Sequence, residues 1–528
     1  MGSLPFIYTG TKTTLMLCHS VFAPAIAKKV QVYMGFSKAA VPLLLVLAGC
    51  GTVHPEKDFA RAGTLIRERT GAEGVYTPGE EDVTLGLIES RLADGLTAAE
   101  AVDIALLNNK LFQSQFHEIG VSRADVVQSG LFANPALSFS ARFPSGGGRA
   151  NLSFGLAQEI VDLWQMPVRK RIAKKHLENT VSNVVALAID LATRTQQGYV
   201  QIRVLEERKT IARDNLALLR GSEESASRRF DAGETSVLDV NLVHAEVLAA
   251  TMGLEALDAE QAVQRAAFHR LLGLSRNQQL SPLTDSLPVG TPEIADDEGL
   301  ITRALDARID LNAAAAGLDA AEAAIAKERL AALPSLSVGA EGERTDTRGP
   351  NALTPLPTAV AALSARDRVI QRMTDQRQRA FDRSQSIDFL LGPSLQATLP
   401  LWDGNRAQIA KARYKFIQKE KEYADLVLGV VQEVTQANAR ARSAAALLRL
   451  SRDEALPLAA QNVETARRVY EAGEASIVAL LLAQQNYNVQ REANVQYAGD
   501  YATASFELER ALGGSPSPES TDDEEGAE

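Results

Sequence analysis

An internal duplication constrains the fold of this chain more than any other feature. The nine residues from Phe230 match those from Tyr470 at an offset of 240, and Leu272-Gly273 recurs as Leu512-Gly513 at the same offset. Nearer the start of each half, Asn134-Pro135 corresponds to Leu333-Pro334 at an offset of 199. The offsets differ by 41, so the second half contains an insertion, which we place at 345–388. Three matches in one order indicate two copies of one structural plan.

Each half is predicted to contain a long helical hairpin with a glycine at its tip. The tip turns are predicted at Gly233 and Gly473, each preceded by Ala and followed by Glu. In the first half the two arms cover about 168–229 and 235–272. At 1.5 Å per residue these arms would be roughly 90 Å and 55 Å long.

A shorter helix is predicted ahead of each hairpin. In the first half Thr97 is a candidate N-cap for a helix from 98 to about 131, with a length of roughly 50 Å. This helix and the returning arm of the hairpin together match the length of the long arm. We therefore expect the two short helices to stack end to end, which gives a column of four-stranded helical packing.

Small and apolar residues recur along the long arm with heptad spacing, which is typical of close helix packing. In the first half this seam consists of Val181, Val184, Ala188, Leu191, Thr195, Gly198, Ile202 and Leu205. Transferred by 240 residues, the seam of the second half is predicted at Ala424, Leu428, Val431, Thr435, Asn438, Arg442 and Ala445, with Arg442 as an exception.

Between the helices the hydrophobic period changes to two, which predicts β-strands. Leu137, Phe139, Ala141 and Phe143 alternate with polar residues, and Leu152, Phe154 and Leu156 follow after a Gly-rich loop. The second half repeats the pattern at Leu336, Val338 and Ala340 and, beyond the insertion, at Leu395, Ala397 and Leu399. Four strands of about ten residues are therefore predicted.

These strands fit either a half-buried sheet or a membrane barrel with lipid outside and water inside. Strands of about ten residues suffice to cross a bilayer. Because open sheet edges are not viable in hydrocarbon, four strands cannot form a barrel alone. The barrel interpretation therefore requires an oligomer to which every copy contributes four strands. The predicted fold class is mainly α with a small β part.

Composition excludes several functional classes. The net charge of −11 argues against nucleic acid as the main partner. No zinc-protease, P-loop or serine-hydrolase motif is present. Single histidines at 117, 176, 244 and 269 do not have the spacing of metal ligands, so we expect no catalytic residues, no metal site and no cofactor.

The N-terminal region has the pattern of a secretory signal. Lys38 precedes an apolar run, and Leu47-Ala48-Gly49-Cys50 resembles the bacterial lipobox, in which the cysteine carries a covalent lipid and becomes the mature N-terminus. An ordinary signal followed by a free cysteine is the alternative. Gly51, rather than Asp, follows the cysteine, which favours the outer membrane. Met34 fits a signal start, and residues 1–33 would then be an over-long start assignment.

The ordered set of motifs resembles the TolC family of outer-membrane efflux proteins over residues 96–513. The resemblance rests on Leu96-Thr97, on Asn134-Pro135, on the paired glycine turns, and on Ala511-Leu512-Gly513 at the end. The lipobox is similar to that of the lipoprotein branch serving drug and heavy-metal exporters. This resemblance implies a homotrimer with a twelve-stranded barrel, continued by a helical tunnel across the periplasm.

The resemblance also implies the partners and the mode of action. A periplasmic adaptor protein and an inner-membrane pump, of the RND type, would supply the energy, and the chain would be a passive duct anchored in the outer membrane. The exported substrate would be chosen by the pump, so the sequence does not name it. The alternatives are a non-channel structural lipoprotein that spans the envelope and a periplasmic adaptor.

The gate at the periplasmic tip is predicted to differ from that of some relatives. Asp239 matches an acidic tip position, although a solvated carboxylate at a helix start explains it equally well. The matching places after the second turn hold Ala479 and Leu482, and Ala475 replaces a basic residue. We therefore expect closure by apolar packing of Leu480, Leu481 and Leu482.

The predicted organisation follows from these motifs. It comprises a signal peptide (1–49), a lipidated N-terminal segment (50–95), a first repeat (96–278), a linker (279–300), a second repeat (301–513) with its insertion, and a disordered acidic tail (514–528).

Overall fold

The structure is a computed structural model. It describes residues 52–79, 86, 88, 90–92, 95–143, 150–275, 278, 280–289, 296–347, 386–472, 474 and 476–514. The predicted signal peptide, most of the insertion and almost all of the acidic tail lie outside these residues.

The described chain is mostly helical and contains one small sheet. The helices of the first part are α1 (Glu56–Thr70), α2 (Ala98–Asn108), α3 (Lys110–Ser129), α4 (Asp162–Asp231) and α5 (Val237–Leu271). Those of the second part are α6 (Asp297–Ala307), α7 (Ile309–Ala331), α8 (Arg406–Leu450), a π-helix (Ser451–Ala455), α9 (Leu456–Glu471) and α10 (Ile477–Ala511). The strands are β1 (Ala136–Arg142), β2 (Asn151–Glu159), β3 (Ser335–Thr347) and β4 (Ser386–Thr398).

The predicted N-cap at Thr97 is confirmed. Its side chain accepts a hydrogen bond from the backbone N–H of Glu100, and the Glu100 carboxylate accepts one from the backbone N–H of Thr97. This capping box satisfies N–H groups that the first helical turn leaves free.

The single helix predicted over 98–131 is wrong, because it is broken at Asn109. Asn109 has an extended backbone (ψ 115°), and its side chain caps α3 by accepting from the N–H of Phe112. The second repeat breaks at the equivalent residue, Arg308, 199 positions later, with ψ 125°. Each repeat therefore has a short helix (α2 or α6) followed by a longer one (α3 or α7).

The long arm begins earlier than predicted. α4 starts at Asp162 rather than near 168 and includes Pro167 in its second turn. Its 70 residues correspond to roughly 105 Å. The Asp162 carboxylate stabilises the start, since it accepts a hydrogen bond from the N–H of Ala133 and pairs with Arg169 at 2.8 Å.

The end-to-end stacking of the short helices is confirmed. On the strand side the helices contact one another in the order α3, α4, α7, α8, and on the far side in the order α5, α4, α10, α8. α3 is therefore continued by α5, and α7 is continued by α10. We call the places where these helices meet end to end the first and the second junction. α4 and α8 run past the junctions without interruption. The result is a wall of four helical columns.

Side-chain amides hold the first junction together. The Asn108 Nδ2 donates to the carbonyls of Leu272 and Gly273 at 3.0 and 2.8 Å, and the Asn109 Nδ2 donates to that of Leu271 at 2.9 Å. These bonds satisfy carbonyls that the end of α5 would leave without partners. Gly273 has φ +66°, and an added Cβ would lie 2.4 Å from the Asn108 carbonyl oxygen.

A buried arginine occupies the equivalent position in the second junction. The Arg308 guanidinium donates to Asp310 at 2.5 and 3.0 Å, to Glu433 at 2.6 Å and to the carbonyl of Ala511 at 3.4 Å. These carboxylates raise the pKa of Arg308, so it stays charged although it is buried. The end of α10 is thus tied to the break between α6 and α7.

The four strands form one antiparallel sheet in sequence order. Phe139 pairs with Phe154, Leu156 with Ala340, and Val338 with Leu395. Strand order matches the order of the helices α3, α4, α7 and α8, to which the strands connect. The sheet therefore continues the helical wall, strand by helix.

The seam predicted for the first repeat is confirmed, and the one transferred to the second repeat is wrong. Seven of the eight predicted residues of α4 are buried, and Gly198 is half-buried. On α8 the predicted Ala424, Leu428, Thr435 and Arg442 are exposed, Val431 and Ala445 are half-buried, and of the seven only Asn438 is buried. The buried stripe is Val430, Val434, Ala437, Asn438, Ala441 and Leu448.

The π-helix explains the displaced seam. Before it, Val430 lies 239 residues after its buried counterpart Leu191; after it, Ala459 lies 240 residues after buried Leu219. A π-turn accommodates one extra residue within an α-helix. The offset of 240, measured at the hairpin tips, therefore does not hold on the other side of the turn.

Helix α1, which the sequence patterns did not predict, packs against α3 and α4. The Asp58 carboxylate accepts two hydrogen bonds of 2.5 Å from Arg123, and the ring of Phe59 stacks on Phe116 at 5.5 Å. Together with α2, α3 and residues 173–202 of α4, it encloses the largest hydrophobic core of the described chain.

Candidate functional site

The sheet has one apolar face. The pairing register places its apolar residues together, with Gln158 and Arg344 as polar exceptions on the same face: Leu137, Phe139, Ala141, Leu152, Phe154, Leu156, Val338, Ala340, Phe389, Leu391, Pro393, Leu395 and Ala397. Leu137, Phe139 and Leu395 are each at least 70% exposed. Nothing in the described chain covers this face, so it is not the half-buried sheet of a soluble core.

The opposite face is polar and small. It presents Ser138, Ser140, Ser153, Gly155, Ser337, Gly339, Glu341, Glu343, Ser394 and Gln396, with Leu390 as an apolar exception. Small and polar residues suit a water-filled interior, while the apolar face suits lipid. The alternation of the two faces is therefore that of a membrane barrel wall.

The sheet is open at both sides. Among the described strands, β1 pairs only with β2, and β4 pairs only with β3. The helical wall has two free edges in the same places, formed by α3 and α5 on one side and by α8 and α9 on the other. A chain with such edges needs further copies to complete a closed structure.

Both edges of the helical wall expose apolar side chains. On α5, Leu238, Met252 and Val263 are each more than 60% exposed, and on α8 Leu428 is 69% exposed. α5 is also long and apolar enough to cross a membrane by length and composition, although only 11% of its most apolar window is buried. Its place at the edge of the wall, beside α4, leaves this apolar surface uncovered by the described chain, which is typical of a protein–protein contact surface.

The first hairpin tip is built as predicted at Gly233. This glycine has φ +77°, and the N–H of Glu234 donates to the carbonyl of Arg229 at 2.8 Å, which closes the end of α4 in a Schellman motif. The second tip has the equivalent bond, from the N–H of Glu474 to the carbonyl of Val469 at 3.0 Å. Gly473 itself lies outside the described residues.

Asp239 caps its own helix. Its carboxylate accepts hydrogen bonds from the hydroxyls of Thr235 and Ser236, both at 2.8 Å, and from the N–H of Ser236. These donors lower the pKa of Asp239. The local capping role accounts for this residue without a function in gating.

The three tip leucines do not share one environment. Leu480 is buried in a cluster with Ala226, Val243 and Ile477. Leu481 is partly buried between this cluster and the next one along the hairpin. Leu482 is 60% exposed. Of the three, only Leu482 is free to contact another chain or the interior of a tunnel.

A contact between the two hairpin tips was not predicted from the sequence. The guanidinium of Arg229 lies 5.2 Å from the ring centre of Tyr470, and it also pairs with Glu234 at 3.5 Å. Arg229 and Tyr470 lie in the matching segments Arg-Phe and Val-Tyr of the two repeats. Their proximity could have been inferred only from the pairing of the hairpins.

Two of the four helical histidines contact polar side chains of other segments. His244 contacts Glu223 at 2.6 Å across the first hairpin, and His117 contacts the hydroxyl of Tyr76 at 3.1 Å. Within the described ranges, no group of three or more His, Cys, Asp or Glu side chains could hold a metal ion. Cys50, the predicted lipidation site, lies outside those ranges.

The family comparison agrees with this architecture. The family model for the outer membrane efflux protein matches residues 300–514, which cover the second repeat. The part of the chain that resembles this family is therefore its second repeat. The first repeat has the same order of broken helix, strand pair and capped hairpin, so the structural unit that matches the family model occurs twice in the chain.

Individual relatives cover most of the chain. The chain is 25% identical over 440 residues to protein CyaE of Bordetella pertussis, and the match covers 80% of the chain and 84% of the relative. Among solved structures, it is similar to CusC, with a TM-score of 0.62, 17% identity, and coverage of 79% of this chain and 92% of that one. VceC of Vibrio cholerae gives a TM-score of 0.58, 16% identity, and coverage of 83% and 97%.

Proposed function

We propose that the protein is the outer-membrane duct of an efflux system, a trimer through which small molecules or metal ions leave the cell passively. The observation that carries this proposal is the open sheet with one apolar and one polar face. Three copies would supply twelve strands, four from each, to a closed barrel. Crystal structures of CusC concern transmembrane channel formation, and VceC is an outer membrane protein, which supports the same role here.

Conductance in planar bilayers tests the duct. The purified full-length protein is expected to migrate as a trimer in native conditions and to give discrete current steps. A folded trimer that inserts into the bilayer without conductance would overturn the duct and favour a structural lipoprotein. A monomer with no membrane insertion would favour a periplasmic adaptor.

The proposed partners are a periplasmic adaptor and an inner-membrane pump of the RND type. The capped hairpin tips are the parts of the chain farthest from the sheet, so they are the surfaces that periplasmic partners would reach first. Cross-linking from cysteines introduced at exposed Glu234 and Glu474 should capture an adaptor in cells. Capture near the strands but never at the tips would contradict this arrangement.

We propose Cys50 as the site of the lipid anchor. α1 starts six residues later, and Asp58 pairs with Arg123 in the half of α3 that leads to β1. The five residues between Cys50 and α1 span at most about 17 Å when extended, which suits an anchor in the nearby membrane. Mass spectrometry of the N-terminal peptide should detect the lipid in the wild type and not in Cys50→Ser. An unmodified Cys50 in the mature protein would reject the anchor.

The apolar gate is retained as a proposal and centred on Leu482. Three exposed Leu482 side chains, one from each copy, would narrow the tunnel at the tips. Leu482→Ala is expected to raise single-channel conductance at least twofold, whereas Leu480→Ala should mainly destabilise the tip, because Leu480 is buried. Unchanged conductance in Leu482→Ala would remove the gate from this residue.

A further inference from the structure

Basic residues are concentrated where the helices leave the sheet. Residues 163–177 of α4 contain five Lys or Arg and no acidic residue, and residues 404–419 around the start of α8 contain another five and no acidic residue. The whole chain has 66 acidic and 55 basic residues. These two segments are therefore positively charged, whereas the whole chain has a negative net charge.

Seven of these ten side chains are exposed and form no ion pair with another described residue. We call them the basic collar: Lys170, Arg171, Lys174, Arg406, Lys411, Arg413 and Lys415. The remaining three are neutralised, because Arg169 pairs with Asp162, Lys175 with Glu178 and Asp319, and Lys419 with Glu422. The collar is thus a patch of uncompensated positive charge.

The collar lies close to the strand ends. α4 begins three residues after β2, and Lys170 to Lys174 follow within roughly 18 Å along the helix. Arg406 is the first residue of α8, and Lys415 lies roughly 14 Å further on. Both runs are therefore within reach of the membrane surface that borders the sheet.

Exposed apolar residues separate the sheet from the collar. Leu163 is 61% exposed at the start of α4, and Leu401 and Trp402, between β4 and α8, are 76% and 99% exposed. Trp at such a position is typical of the membrane–water interface. Along the chain, the apolar face of the sheet is followed by the exposed Trp402 and then by the basic residues. A bilayer has the same order of hydrocarbon, interface and charged headgroups.

Basic side chains emerge on both sides of the wall. Ala412 is buried against the neighbouring helices, and Lys411 and Arg413 lie about 100° to either side of it on the helix. Because the wall is one helix thick here, these two side chains lie on opposite surfaces. The outer surface next to the membrane therefore carries positive charge whichever of the two faces outward.

We propose that the basic collar binds anionic phospholipid headgroups in the periplasmic leaflet of the membrane that the sheet crosses. This inference rests on the proposed membrane barrel. Each Lys or Arg near an anionic surface favours association by about fivefold. The collar would fix the depth of the barrel in the bilayer and retain anionic lipid around it.

Lipid selectivity of the full-length trimer tests the proposal. The protein is reconstituted in vesicles of phosphatidylcholine containing 30 mol% phosphatidylglycerol, and the association of spin-labelled forms of each lipid is compared. The wild type is expected to prefer phosphatidylglycerol about fivefold or more in low salt. The preference should fall towards one in 1 M NaCl, where the screening length is about 3 Å.

Two charge-removing variants and a matched control locate the contact. Lys170→Gln/Arg171→Gln/Lys174→Gln and Lys411→Gln/Arg413→Gln/Lys415→Gln should each lower the preference at least twofold. The control, Arg213→Gln/Arg220→Gln/Arg449→Gln, removes the same charge from exposed positions, two of them on α4 more than roughly 55 Å from the collar. It should leave the preference unchanged.

The outcomes that overturn the proposal are distinct from failure of the duct. No preference in the wild type, or an unchanged preference in both collar variants, would reject the lipid contact. A change in ion selectivity without a change in lipid preference would assign these side chains to the tunnel interior and also reject it. A lipid-selective trimer without conductance would reject the duct alone.

Discussion

At the scale of single residues, the positions that matter most are those that end helices. Gly233 and Gly273 hold left-handed conformations, Thr97 and Asp239 complete capping boxes, and Asn109 interrupts a helix and caps the next. Each supplies a backbone geometry or a hydrogen-bond acceptor that the neighbouring helix requires. Changes at these positions should therefore act through local order.

Asp239→Ala should loosen the first hairpin tip. The carboxylate accepts three hydrogen bonds from Thr235 and Ser236, so its loss removes one half of the capping box at the start of α5, while the Ser236 hydroxyl still accepts from the backbone N–H of residue 239. Hydrogen exchange of the amides at 236–240 should become faster, and Glu255→Ala, an exposed change on the same helix, should not affect it.

The pH dependence follows from the lowered pKa of Asp239. Because ionised Asp239 is favoured in the folded state, its contribution is present above the ordinary aspartate pKa of about 3.9 and is lost as pH falls further. The wild type should therefore approach the Asp239→Ala exchange rates below pH 4. Identical rates in the two proteins at pH 7 would contradict the capping role.

Gly273→Ala should destabilise the first junction. A Cβ at this position would meet the Asn108 carbonyl oxygen at 2.4 Å, and the positive φ adds about 1 kcal/mol of strain. We expect a loss of about 2 kcal/mol or more in the free energy of unfolding, measured by denaturant titration.

Gly253→Ala provides the matched control for the junction. Gly253 lies within α5, the helix that ends two residues before Gly273, and an added Cβ would meet nothing within 4 Å. Replacing a helix-interior glycine by alanine should stabilise by about 0.5–1 kcal/mol. Equal effects of the two substitutions would show that the close approach at Gly273 does not matter.

Residue-scale features could be predicted from the sequence where the signal was local. The N-cap at Thr97 and the glycine turn at Gly233 follow from residue type and neighbours. The break at Asn109 was missed, because both sides have strong helical patterns and only the Asn-Asn pair marks the cap. The Arg229–Tyr470 contact depends on how two distant hairpins pair, which neighbouring residues do not determine.

At the scale of elements, the π-helix is the feature that distinguishes the two repeats. It accommodates the extra residue, so that the buried faces on its two sides stay aligned with those of α4. It also places Pro457 at the start of α9, where a missing N–H costs little. An uninterrupted α-helix would leave Pro457 in its interior.

Removing the extra residue together with the proline should be tolerated. Deletion of Glu454 combined with Pro457→Ala is expected to give a continuous helix with both buried faces in register, and a thermal midpoint close to that of the wild type. Deletion of Gln432 in α8 should instead rotate Val430 by about 100° relative to Val434 and lower the midpoint strongly. An equal fall of the thermal midpoint in both variants would show that the π-turn does not compensate for an inserted residue.

Elements were predictable as far as periodicity and duplication reached. All four strands and both hairpins follow from the change of hydrophobic period, since each face has a distinct environment. The seam of α8 was misplaced by one residue because a π-turn leaves no mark in a hydrophobic pattern. Helix α1 lacked a clear signal, since its buried face is short and includes Gly63 and paired Asp58.

At the scale of the whole molecule, the charge on the polar face of the sheet predicts ion selectivity. Glu341 and Glu343 lie on the polar face of β3, opposite the apolar face, and pair in register with Gly155 and Ser153 of β2. In the proposed trimer these carboxylates would line the barrel interior three times over. A narrow pore lined by carboxylates favours cations.

Glu341→Gln/Glu343→Gln should therefore lower the permeability ratio of K⁺ to Cl⁻. The ratio is read from the reversal potential across a planar bilayer in a KCl gradient. Arg344→Gln, a neighbouring change that the register places on the opposite face, should leave it unchanged. A shift caused by Arg344→Gln and not by the glutamate variant would mean that the faces of the sheet are assigned the wrong way round.

The continuity of the wall from strands to helix tips has a consequence for symmetry. Each chain contains two near-copies of one unit, so a closed trimer would have six similar units around its axis. The π-turn keeps the buried faces of these units aligned as far as the hairpin tips. The symmetry would be threefold in sequence but approximately sixfold in shape. At the tips the first and second repeats differ in charge, since Asp239 in the first corresponds to Ala479 in the second. A partner ring of six identical subunits could match the shape of all six repeat units. Neighbouring subunits of that ring would nevertheless contact tips of different charge.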